Sequence, residues 1–423
     1  MQLPNRFWRV TKINQQYDLC DTYPALLIVP RTISDKVVKQ ASKYRSRNRI
    51  PTLCWRHRKT GAAMLRCSQP CSGIAGSHSE QDETLINLAH AANPSNSKKR
   101  FVIIDARPIL NAVANQMKGK GYEDVNESHY TCCDPVEFMN IGNIHVMRKS
   151  LNSLLEKCQD IVTGLACNLD GMDEWFGHIS LVLQAAVRVS KLMHIEGRST
   201  LVHCSDGWDR TPQITALSQI MMDPYYRTWH GFQVLVEKEW ISFGHKFAQR
   251  CGRVKGTHEE SPIFIQFCDC IFQIMAQFPT AFEFNSQYLG WIVKHLYSNW
   301  FGNFLGNNER ENLKELNVRA GSFSIWECAN ANKTKFLNPR YIELDSEYVL
   351  LPSFDLTVSS SAADLSKVSA GSSLRRHCGD IVLWSDCYLK HANWVMTDLP
   401  HQYVVDSVSG ITKHVSATVM GYE

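Results

Sequence analysis

The sequence predicts an α/β fold with a mostly parallel central sheet flanked by helices, and two features of the chain lead to this. Short apolar runs typical of buried strands occupy residues 25–29, 101–104 and 200–202. Helical patterns, with apolar residues at every third or fourth position, lie among them, and the longest covers 173–196. Strands that alternate with helices usually pair in parallel, with the helices covering the sheet.

The first hundred residues add shorter elements to this core. Ser34 is a natural N-cap for a helix that follows the first strand and runs to Tyr44. The elements expected after it are a hairpin over 51–66, a Gly/Ser-rich loop over 70–80, a helix over 82–92 and a polar loop over 93–100.

The second half of the chain is dominated by helical patterns and ends in a change of composition. The predicted helices cover 147–162, 173–196, 211–222, 229–252, 262–280 and 284–302. From residue 353 serines cluster among small residues, which is typical of a linker. We therefore predict a main domain over 1–352, a Ser-rich linker over 353–376, and a small appendage or partly disordered tail over 377–423.

Positive charge is concentrated near the start of the chain. The 423 residues carry a formal net charge of +4, but residues 1–80 hold 14 Lys and Arg against 4 Asp and Glu, a net of +10. A basic block of this size favours an anionic partner, such as a membrane surface, a phosphorylated ligand or nucleic acid. Because no nucleic-acid recognition motif accompanies it, we expect no nucleic-acid partner.

The composition excludes several classes of protein. Apolar residues make up 44% of the chain, which favours a folded globular protein over a disordered one. No apolar run approaches the roughly 18 residues of a membrane span, and the first 20 residues lack the apolar core of a secretory signal. The 15 cysteines form no CxxC pair and the 16 histidines no HExxH motif, so we expect reduced thiols, no metal site and no cofactor.

The most informative segment is 201–211, which reads LVHCSDGWDRT. A predicted strand ends at His203, and five residues separate Cys204 from Arg210, where a helix is expected to begin. Backbone N–H groups in such a turn, together with the helix N-terminus, favour binding of a phosphate-sized dianion. The same positive potential favours the thiolate of Cys204, while Arg210 can hold two phosphate oxygens and Gly207 gives the turn its backbone freedom. The segment therefore predicts a cysteine nucleophile for phosphoryl transfer, the alternative being a small buried cysteine after a strand.

Two carboxylates lie inside this turn, which is unusual for an anion-binding loop. Asp206 and Asp209 would repel a bound phosphate unless one of them is protonated or points away. A carboxyl group whose pKa is raised by the bound dianion could protonate the leaving alkoxide. The pair therefore predicts a general acid within the loop itself.

Residues 203–211 resemble the signature of the myotubularin-related phosphoinositide 3-phosphatases, a branch of the protein-tyrosine-phosphatase superfamily. The resemblance extends over roughly residues 5–340. The further matching segments are 23–30, 44–47, 67–70, 105–108, 111–115, 143–148, 223–228 and 237–240.

This resemblance implies a protein-tyrosine-phosphatase-like fold with a deep, positively charged pocket. It also implies hydrolysis of the D3 phosphate of phosphatidylinositol 3-phosphate and phosphatidylinositol 3,5-bisphosphate through a cysteinyl-phosphate, without metal. By position, Cys204 would be the nucleophile, Arg210 the phosphate-binding arginine and Asp209 the general acid, with Asp206 as second choice. The implied substrate-binding residues are Ser205, Gly207, Trp208, Asn115, Asn143, Ile144, Lys246 and Arg250. The last two, read as one helical turn apart, match a basic pair near a second phosphate.

The resemblance further implies a cytoplasmic protein that acts at membranes, endosomal ones in particular. Family members usually begin with a PH-GRAM lipid-binding domain, and this chain starts about where that domain would end. We therefore expect either a fragment or dependence on a partner, such as a homo- or hetero-oligomer with related phosphatases. The basic cluster over 43–59 is then the best candidate for contact with anionic lipid.

Two other functions stay open from the sequence. A protein tyrosine or dual-specificity phosphatase would use the same nucleophile, although two acidic residues in the loop and basic residues nearby suit a polyphosphorylated headgroup better. A catalytically weak adaptor that binds phosphoinositide would also keep the pocket, although intact Cys204 and Arg210 argue against it.

Overall fold

The structure of the protein is a computed structural model. It describes residues 3–94, 99–163, 173–345, 347–352 and 381–389. The predicted linker and most of the predicted tail lie outside the described residues. No helix in the described part of the chain is long and apolar enough to cross a bilayer.

A five-stranded sheet forms the centre of the molecule, with the order β3–β4–β7–β5–β6. Its strands are Thr52–Arg56 (β3), Ala63–Arg66 (β4), Val102–Asp105 (β5), Glu137–Phe138 (β6) and Thr200–His203 (β7). Strands β3 and β4 form the predicted antiparallel hairpin, whereas all other neighbours in this sheet are parallel. The prediction of an α/β fold with a mostly parallel sheet is confirmed, and β7 lies at its centre.

The first predicted strand belongs to a different sheet. Leu27–Pro30 (β2) pairs antiparallel with Trp8–Thr11 (β1) in a separate two-stranded sheet. The strand was expected from its apolar run, but nothing in that run specifies its partner. The central sheet therefore begins only at the hairpin.

Helices surround the central sheet, and they are numbered here in chain order. They are Asp35–Ser42 (α1), Glu80–Ala91 (α2), Ile109–Gln116 (α3), Ile144–Val162 (α4), Asp173–His194 (α5), Arg210–Met222 (α6), Trp229–Val236 (α7), Phe247–Arg250 (α8), Ile263–Gln277 (α9), Ser286–Leu296 (α10), Val318–Gly321 (α11), Ile325–Ala331 (α12), Lys333–Phe336 (α13) and Ser385–Tyr388 (α14).

Helix α6 is the most deeply enclosed of these. Every one of its residues is buried, including polar ones such as Gln213 and Gln219. Their Nε2 groups find acceptors inside the core: Gln213 donates to Gln266 Oε1 at 2.8 Å, and Gln219 donates to Glu239 Oε1 at 2.8 Å. A helix enclosed on all sides cannot shift without disturbing the core, so its N-terminus gives a rigid base to the preceding loop.

The single helix predicted over 229–252 is wrong. A π-helical turn over Glu237–Ser242 follows α7, and α8 begins only at Phe247. Between them Gly244 has a φ of +75°, and a Cβ there would lie 2.2 Å from the carbonyl oxygen of Thr22. The chain turns at this glycine because a continuous helix cannot pass so close to the neighbouring backbone.

Part of the predicted C-terminal appendage packs against the main body. In α14 the hydroxyl of Tyr388 donates to Asp269 Oδ2 at 2.6 Å and accepts from Trp175 Nε1 at 3.0 Å. Trp384, just before this helix, is also fully buried. The segment 381–389 thus shares the core of the main domain, while the boundary at residue 352 stays a prediction.

Candidate active site

The loop between β7 and α6, residues 204–209, is called the cradle loop here. It begins directly after the central strand and ends at the buried helix, so both of its ends are fixed. Gly207 has a φ of +76°, and a Cβ at this position would lie 2.2 Å from the carbonyl oxygen of Cys67. The tight turn therefore needs glycine for two separate reasons, the backbone angle and the close approach of a neighbouring chain segment.

Two carbonyl groups of the cradle loop are held from outside by buried side chains. The Gly207 carbonyl accepts from Arg49 Nη2 at 3.0 Å and from Arg66 Nη2 at 2.8 Å. The Trp208 carbonyl lies 2.7 Å from His245 Nδ1. Because these carbonyls point outward, their peptide units turn the N–H groups of the loop to the opposite side, where an anion can bind.

Cys204 is buried at the start of the loop, and its surroundings favour the thiolate. Burial alone raises the pKa of the thiol, but the charge of Arg210 and a hydrogen bond from Thr211 Oγ1, 3.3 Å from the sulfur, lower it. The backbone N–H of Gly207 lowers it further. The net effect is a pKa below the ordinary value, which increases the fraction of nucleophilic thiolate near neutral pH.

Arg210 is the first residue of α6, and its guanidinium lies beside the cradle loop. Its Nη1 donates to the carbonyl of Ile141 at 3.1 Å and its Nη2 donates to Ser205 Oγ at 3.4 Å. The side chain is buried, so its charge acts at close range on the thiol. The structure thus brings together Cys204, Ser205 and Arg210, whose catalytic and binding roles remain predictions.

Asp209, the first choice for the general acid, lies in a buried ion pair. Its Oδ1 accepts from Arg250 Nε at 3.0 Å, and its Oδ2 accepts from Arg250 Nη2 at 2.8 Å. His245 Nδ1 lies 3.3 Å from the same carboxylate. Burial raises the pKa of Asp209, but Arg250 and His245 outweigh burial and hold it well below its usual range. In this arrangement Asp209 is a carboxylate rather than an acid.

Asp206, the second choice, is held in a more open position. Its Oδ1 accepts from Ser46 Oγ at 2.7 Å and lies 3.8 Å from Lys120 Nζ. Its side chain is 22% exposed, against 10% for Asp209. The two carboxylates of the loop therefore differ in partner and in access to water, and only Asp209 is fixed by an arginine.

Trp208 and the predicted basic pair form one cluster on the far side of the loop. Lys246 Nζ lies 4.7 Å from the centre of the Trp208 ring, and burial lowers the pKa of this lysine. Arg250 joins the cluster through Asp209. Lys246 is the N-cap residue of α8, with φ −75° and ψ 58°, and its carbonyl accepts from the N–H of Arg250 at 2.8 Å, so the two residues lie one turn apart. The turn before α8 places the lysine over the tryptophan ring. Binding of a second phosphate by this pair remains a prediction.

The other predicted pocket residues lie on neighbouring segments. Asn143 caps α4, because its Oδ1 accepts from the N–H groups of His145 and Val146 at 3.0 and 3.1 Å. Ile144 begins that helix, three residues after Ile141, whose carbonyl accepts from Arg210. Asn115 lies near the end of α3, and its carbonyl accepts from the N–H of Lys120 at 3.0 Å. The neighbouring residues Ile141 and Lys120 link these segments to Arg210 and Asp206, and contact of the predicted residues with a substrate remains a prediction.

A buried charged network behind the loop was not found from the sequence. His203 Nε2 lies 3.0 Å from Glu123 Oε2, and Glu123 is also paired with Arg45. Arg45 Nε in turn donates to Asp82 Oδ1 at 2.8 Å, and all four side chains are fully buried. Burial lowers the pKa of His203, but Glu123 reverses this and raises it. Glu123 gave no signal in the sequence, because it lies among exposed acidic residues of a loop.

This network corrects one prediction about the basic cluster over 43–59. Arg45 and Arg49 are fully buried and donate hydrogen bonds to the protein interior, so neither can contact a lipid surface. Lys43, Arg58 and Lys59 are exposed. The positive charge of this region thus serves in part to hold the cradle loop.

Comparison with known proteins gives matches over most of the chain. Residues 1–313 match the family model described as the myotubularin-like phosphatase domain. The chain is 46% identical over 355 residues to phosphatidylinositol-3,5-bisphosphate 3-phosphatase MTMR2 of Mus musculus, covering 83% of this chain and 54% of that protein. It is 46% identical over 362 residues to myotubularin of Rattus norvegicus, covering 83% of this chain and 58% of that protein. It is 44% identical over 356 residues to phosphatidylinositol-3,5-bisphosphate 3-phosphatase MTMR8 of Homo sapiens, covering 84% of this chain and 50% of that protein. The chain spans about half the length of these curated relatives.

Proposed function

The chain belongs to the myotubularin-like phosphatase family, and on this basis we propose that it removes the D3 phosphate from phosphatidylinositol 3-phosphate and phosphatidylinositol 3,5-bisphosphate. The observation that carries the proposal is the cradle loop, in which a thiol of lowered pKa, Cys204, lies beside the buried guanidinium of Arg210. A nucleophile and a planar cation at one helix N-terminus suit in-line attack on a bound phosphate.

The reaction proceeds in two displacement steps. The sulfur of Cys204 bonds to phosphorus while the bond from phosphorus to the D3 oxygen of the inositol breaks, and the departing oxygen takes a proton from the general acid. Water then attacks the cysteinyl-phosphate, the sulfur–phosphorus bond breaks, and inorganic phosphate leaves. The proton of that water passes to the carboxylate that acted as the acid. The cycle consumes one water and returns Cys204 to the thiolate.

Asp209 serves as the general acid in this proposal, with Asp206 as the alternative. Asp209 can carry a proton only when its ion pair with Arg250 loosens. A bound phosphate favours this change, because its negative charge attracts Arg250 and disfavours a second anion in the loop. Substrate binding itself would therefore raise the pKa of Asp209.

The cluster of Trp208, Lys246 and Arg250 supports a headgroup with more than one phosphate. The two cations lie next to the loop, and the indole offers a flat surface for a sugar ring. Two of the relatives are themselves named as phosphatidylinositol-3,5-bisphosphate 3-phosphatases. The test is phosphate release from short-chain phosphoinositides that differ in phosphate position, with a phosphotyrosine peptide alongside. We expect turnover of the two 3-phosphorylated lipids, and faster release from the peptide would favour a protein phosphatase instead.

One observation favours a second candidate, the catalytically weak adaptor that binds phosphoinositide. The ion pair between Asp209 and Arg250 leaves the preferred acid deprotonated. If substrate cannot separate the pair, the pocket would bind lipid without turning it over. Vesicle binding by a protein that releases no phosphate would identify this case.

We also propose that the protein contacts an anionic membrane through helix α3. Ile109, Leu110 and Val113 of α3 and Met117, the residue at its C-cap, lie on one face about 100° wide, given 3.6 residues per turn. Leu110 is 78% exposed and Met117 is 74% exposed, which is unusual for large apolar side chains on one helix. Transfer of such a side chain out of water contributes about 1.5–3 kcal/mol when it is complete.

The surroundings of the apolar face of α3 suit a lipid surface. Lys118 and Lys120 follow the helix, and Lys120 Nζ lies 3.8 Å from Asp206 of the cradle loop. Ile74, 77% exposed, lies on a loop tied to this segment, because Gly73 N donates to the Lys120 carbonyl at 3.0 Å. An apolar face beside cations fits a bilayer with anionic headgroups, and it would bring the cradle loop to the lipid. A cytoplasmic, peripheral location at endosomal membranes and assembly with itself or a related phosphatase remain predictions.

A further inference from the structure

Two histidines and a glutamate from two separate chain segments meet on the surface around the start of α2. Glu83 lies in the first turn of that helix, His78 just before it, and His129 in the segment that follows α3. Their ligand atoms all lie within 4.8 Å of one another. The three residues, called the His–Glu–His cluster here, are not members of the cradle loop.

Two distances within the cluster are close to those between neighbouring ligands of a tetrahedral metal ion. His129 Nδ1 lies 3.1 Å and His78 Nδ1 lies 3.6 Å from the same oxygen, Oε1 of Glu83. Bonds of about 2.0–2.2 Å from a tetrahedral zinc place neighbouring ligand atoms roughly 3.3–3.6 Å apart. Both imidazoles approach this oxygen with their Nδ1 atoms, and their ring centres are 4.1 Å apart. We propose that the His–Glu–His cluster is a binding site for Zn²⁺, with water in the fourth position.

The chemistry of the cluster favours zinc over calcium or magnesium. Two imidazole nitrogens and one carboxylate form a donor set typical of zinc, whereas calcium and magnesium prefer oxygen donors throughout. The side chain of His78 is 49% exposed, which leaves one side of the cluster open to water. Three protein ligands leave the fourth position of a tetrahedral zinc ion open to water, unlike a closed structural site with four protein ligands.

Each ligand is carried by a segment that is already held in place. Asn126 Oδ1 accepts from the N–H of His129 at 2.9 Å. Tyr44 donates from its hydroxyl to the carbonyl of Ser77, next to His78, at 2.6 Å. Ser79 Oγ caps α2 by accepting from the N–H of Asp82 at 3.3 Å. Ligands on preorganised segments lose less conformational entropy on binding, which favours affinity.

Zinc at this position would fasten the segment 122–130 to α2. Both elements support the cradle loop from behind, because Tyr130 donates to Asp82 Oδ2 at 2.8 Å and Glu123 pairs with His203. Bound metal would therefore stabilise the buried charged network of Asp82, Arg45, Glu123 and His203, the last of which directly precedes Cys204. The proposal does not depend on the substrate of the enzyme.

The test measures metal binding by the whole 423-residue chain directly. Titration of the reduced wild-type protein with Zn²⁺ should show a binding site. In His129→Gln and in Glu83→Gln, the affinity of this site for zinc should fall by more than the roughly 10–100-fold that is typical of a lost outer-shell partner. His258→Gln, which removes an exposed histidine outside the cluster, should bind as the wild type does. Because His78 is the most exposed ligand, His78→Gln provides a variant in which folding is least disturbed.

Cobalt distinguishes this site from the cysteines. Co²⁺ in the His–Glu–His cluster should show tetrahedral absorption without a thiolate charge-transfer band, and this signal should vanish in the cluster variants. Zinc should also raise the unfolding temperature of the wild type but not of His78→Gln, since a ligand that binds only the folded state stabilises it. Equal zinc affinity in wild type and all cluster variants, or cobalt spectra dominated by thiolate bands that these variants do not change, would overturn the proposal.

Discussion

Arg250 holds the carboxylate of Asp209 with two hydrogen bonds, Nε to Oδ1 at 3.0 Å and Nη2 to Oδ2 at 2.8 Å. The residue expected to bind a substrate phosphate and the residue expected to act as the acid are therefore partners of each other. Substrate that attracts the arginine would at the same time release the acid, so binding and proton transfer are coupled through one ion pair.

Replacing Arg250 by Met should move the pH dependence of turnover. The substitution removes the charge that holds the pKa of Asp209 low, so this pKa should rise. A general acid works only when protonated, and kcat falls as pH rises through its pKa in the enzyme–substrate complex. The alkaline limb of kcat against pH should therefore shift to higher pH, measured with short-chain phosphatidylinositol 3-phosphate.

Lys246→Met is the matched control for this shift. It removes a neighbouring cation of the same cluster, one that lies over the Trp208 ring. It should raise KM for the bisphosphate while leaving the position of the alkaline limb nearly unchanged. An alkaline limb of Arg250→Met that coincides with that of the wild type would argue against Asp209 as the acid and favour Asp206.

Replacing Gly207 by Ala should destabilise the cradle loop by more than the cost of the left-handed backbone angle alone. A left-handed conformation costs a residue with a Cβ roughly 1–2 kcal/mol, and here the Cβ would also lie 2.2 Å from the Cys67 carbonyl oxygen. Gly256→Ala has nearly the same φ, +77° against +76°, with open space around it. Urea unfolding and phosphate release should show a larger loss in the first variant, and equal losses would mean that the close approach is unimportant.

Replacing Glu123 by Gln should destabilise the protein in a pH-dependent way. Removing one partner of a buried ion pair costs about 3–5 kcal/mol. Glu123 has a lowered pKa, so its contribution is present above the unfolded-state value of 4.5 and is lost as pH falls. His203 has a raised pKa, so its contribution is complete below the unfolded-state value of 6.5 and is lost as pH rises through the folded-state value.

The stability difference between wild type and Glu123→Gln should therefore be largest in mildly acidic solution and shrink at alkaline pH. Urea unfolding across this range measures it. Glu127→Gln, an exposed acid of the same segment, should leave stability nearly unchanged. A difference that stays constant with pH would show that His203 does not change its charge in the folded protein.

Replacing Leu110 and Met117 by Gln should weaken membrane binding without impairing the reaction itself. Loss of two partly inserted side chains should lower vesicle partitioning by more than tenfold, which corresponds to about 1.4 kcal/mol. Turnover of a soluble short-chain lipid should remain near the wild-type rate. Phe323→Gln, which changes an exposed apolar side chain outside α3, is the control in vesicle sedimentation. Unchanged partitioning of the double variant would exclude α3 as the contact.

Local features of the site could be predicted from the sequence. The strand that ends at His203, the loop from Cys204 and the helix from Arg210 are consecutive in the chain, so their arrangement follows from short-range geometry. Asp206 and Asp209 were found for the same reason. Ser46, which contacts Asp206, and Arg250, which contacts Asp209, depend on packing between distant segments and have no local signal in the sequence.

The predictions that were wrong or missing concern solvent exposure and a helix break, and both are decided by tertiary packing. Helix α3 was missed as an element because its apolar residues face outward instead of forming part of the core. Arg45 and Arg49 were placed on the surface because arginine usually lies there, yet both are buried supports of the network and the loop. The break before Lys246 follows from the close approach of Gly244 to Thr22, a contact between residues far apart in sequence.

Phosphate release by Cys204→Ser tests the central claim most directly. With short-chain phosphatidylinositol 3-phosphate, loss of the thiolate should lower kcat by about 10³-fold or more, equivalent to about 4 kcal/mol of barrier. Cys328→Ser, which changes a partly exposed thiol outside the cradle loop, should release phosphate at the wild-type rate. Equal phosphate release by wild type and Cys204→Ser would contradict a cysteinyl-phosphate mechanism in this protein.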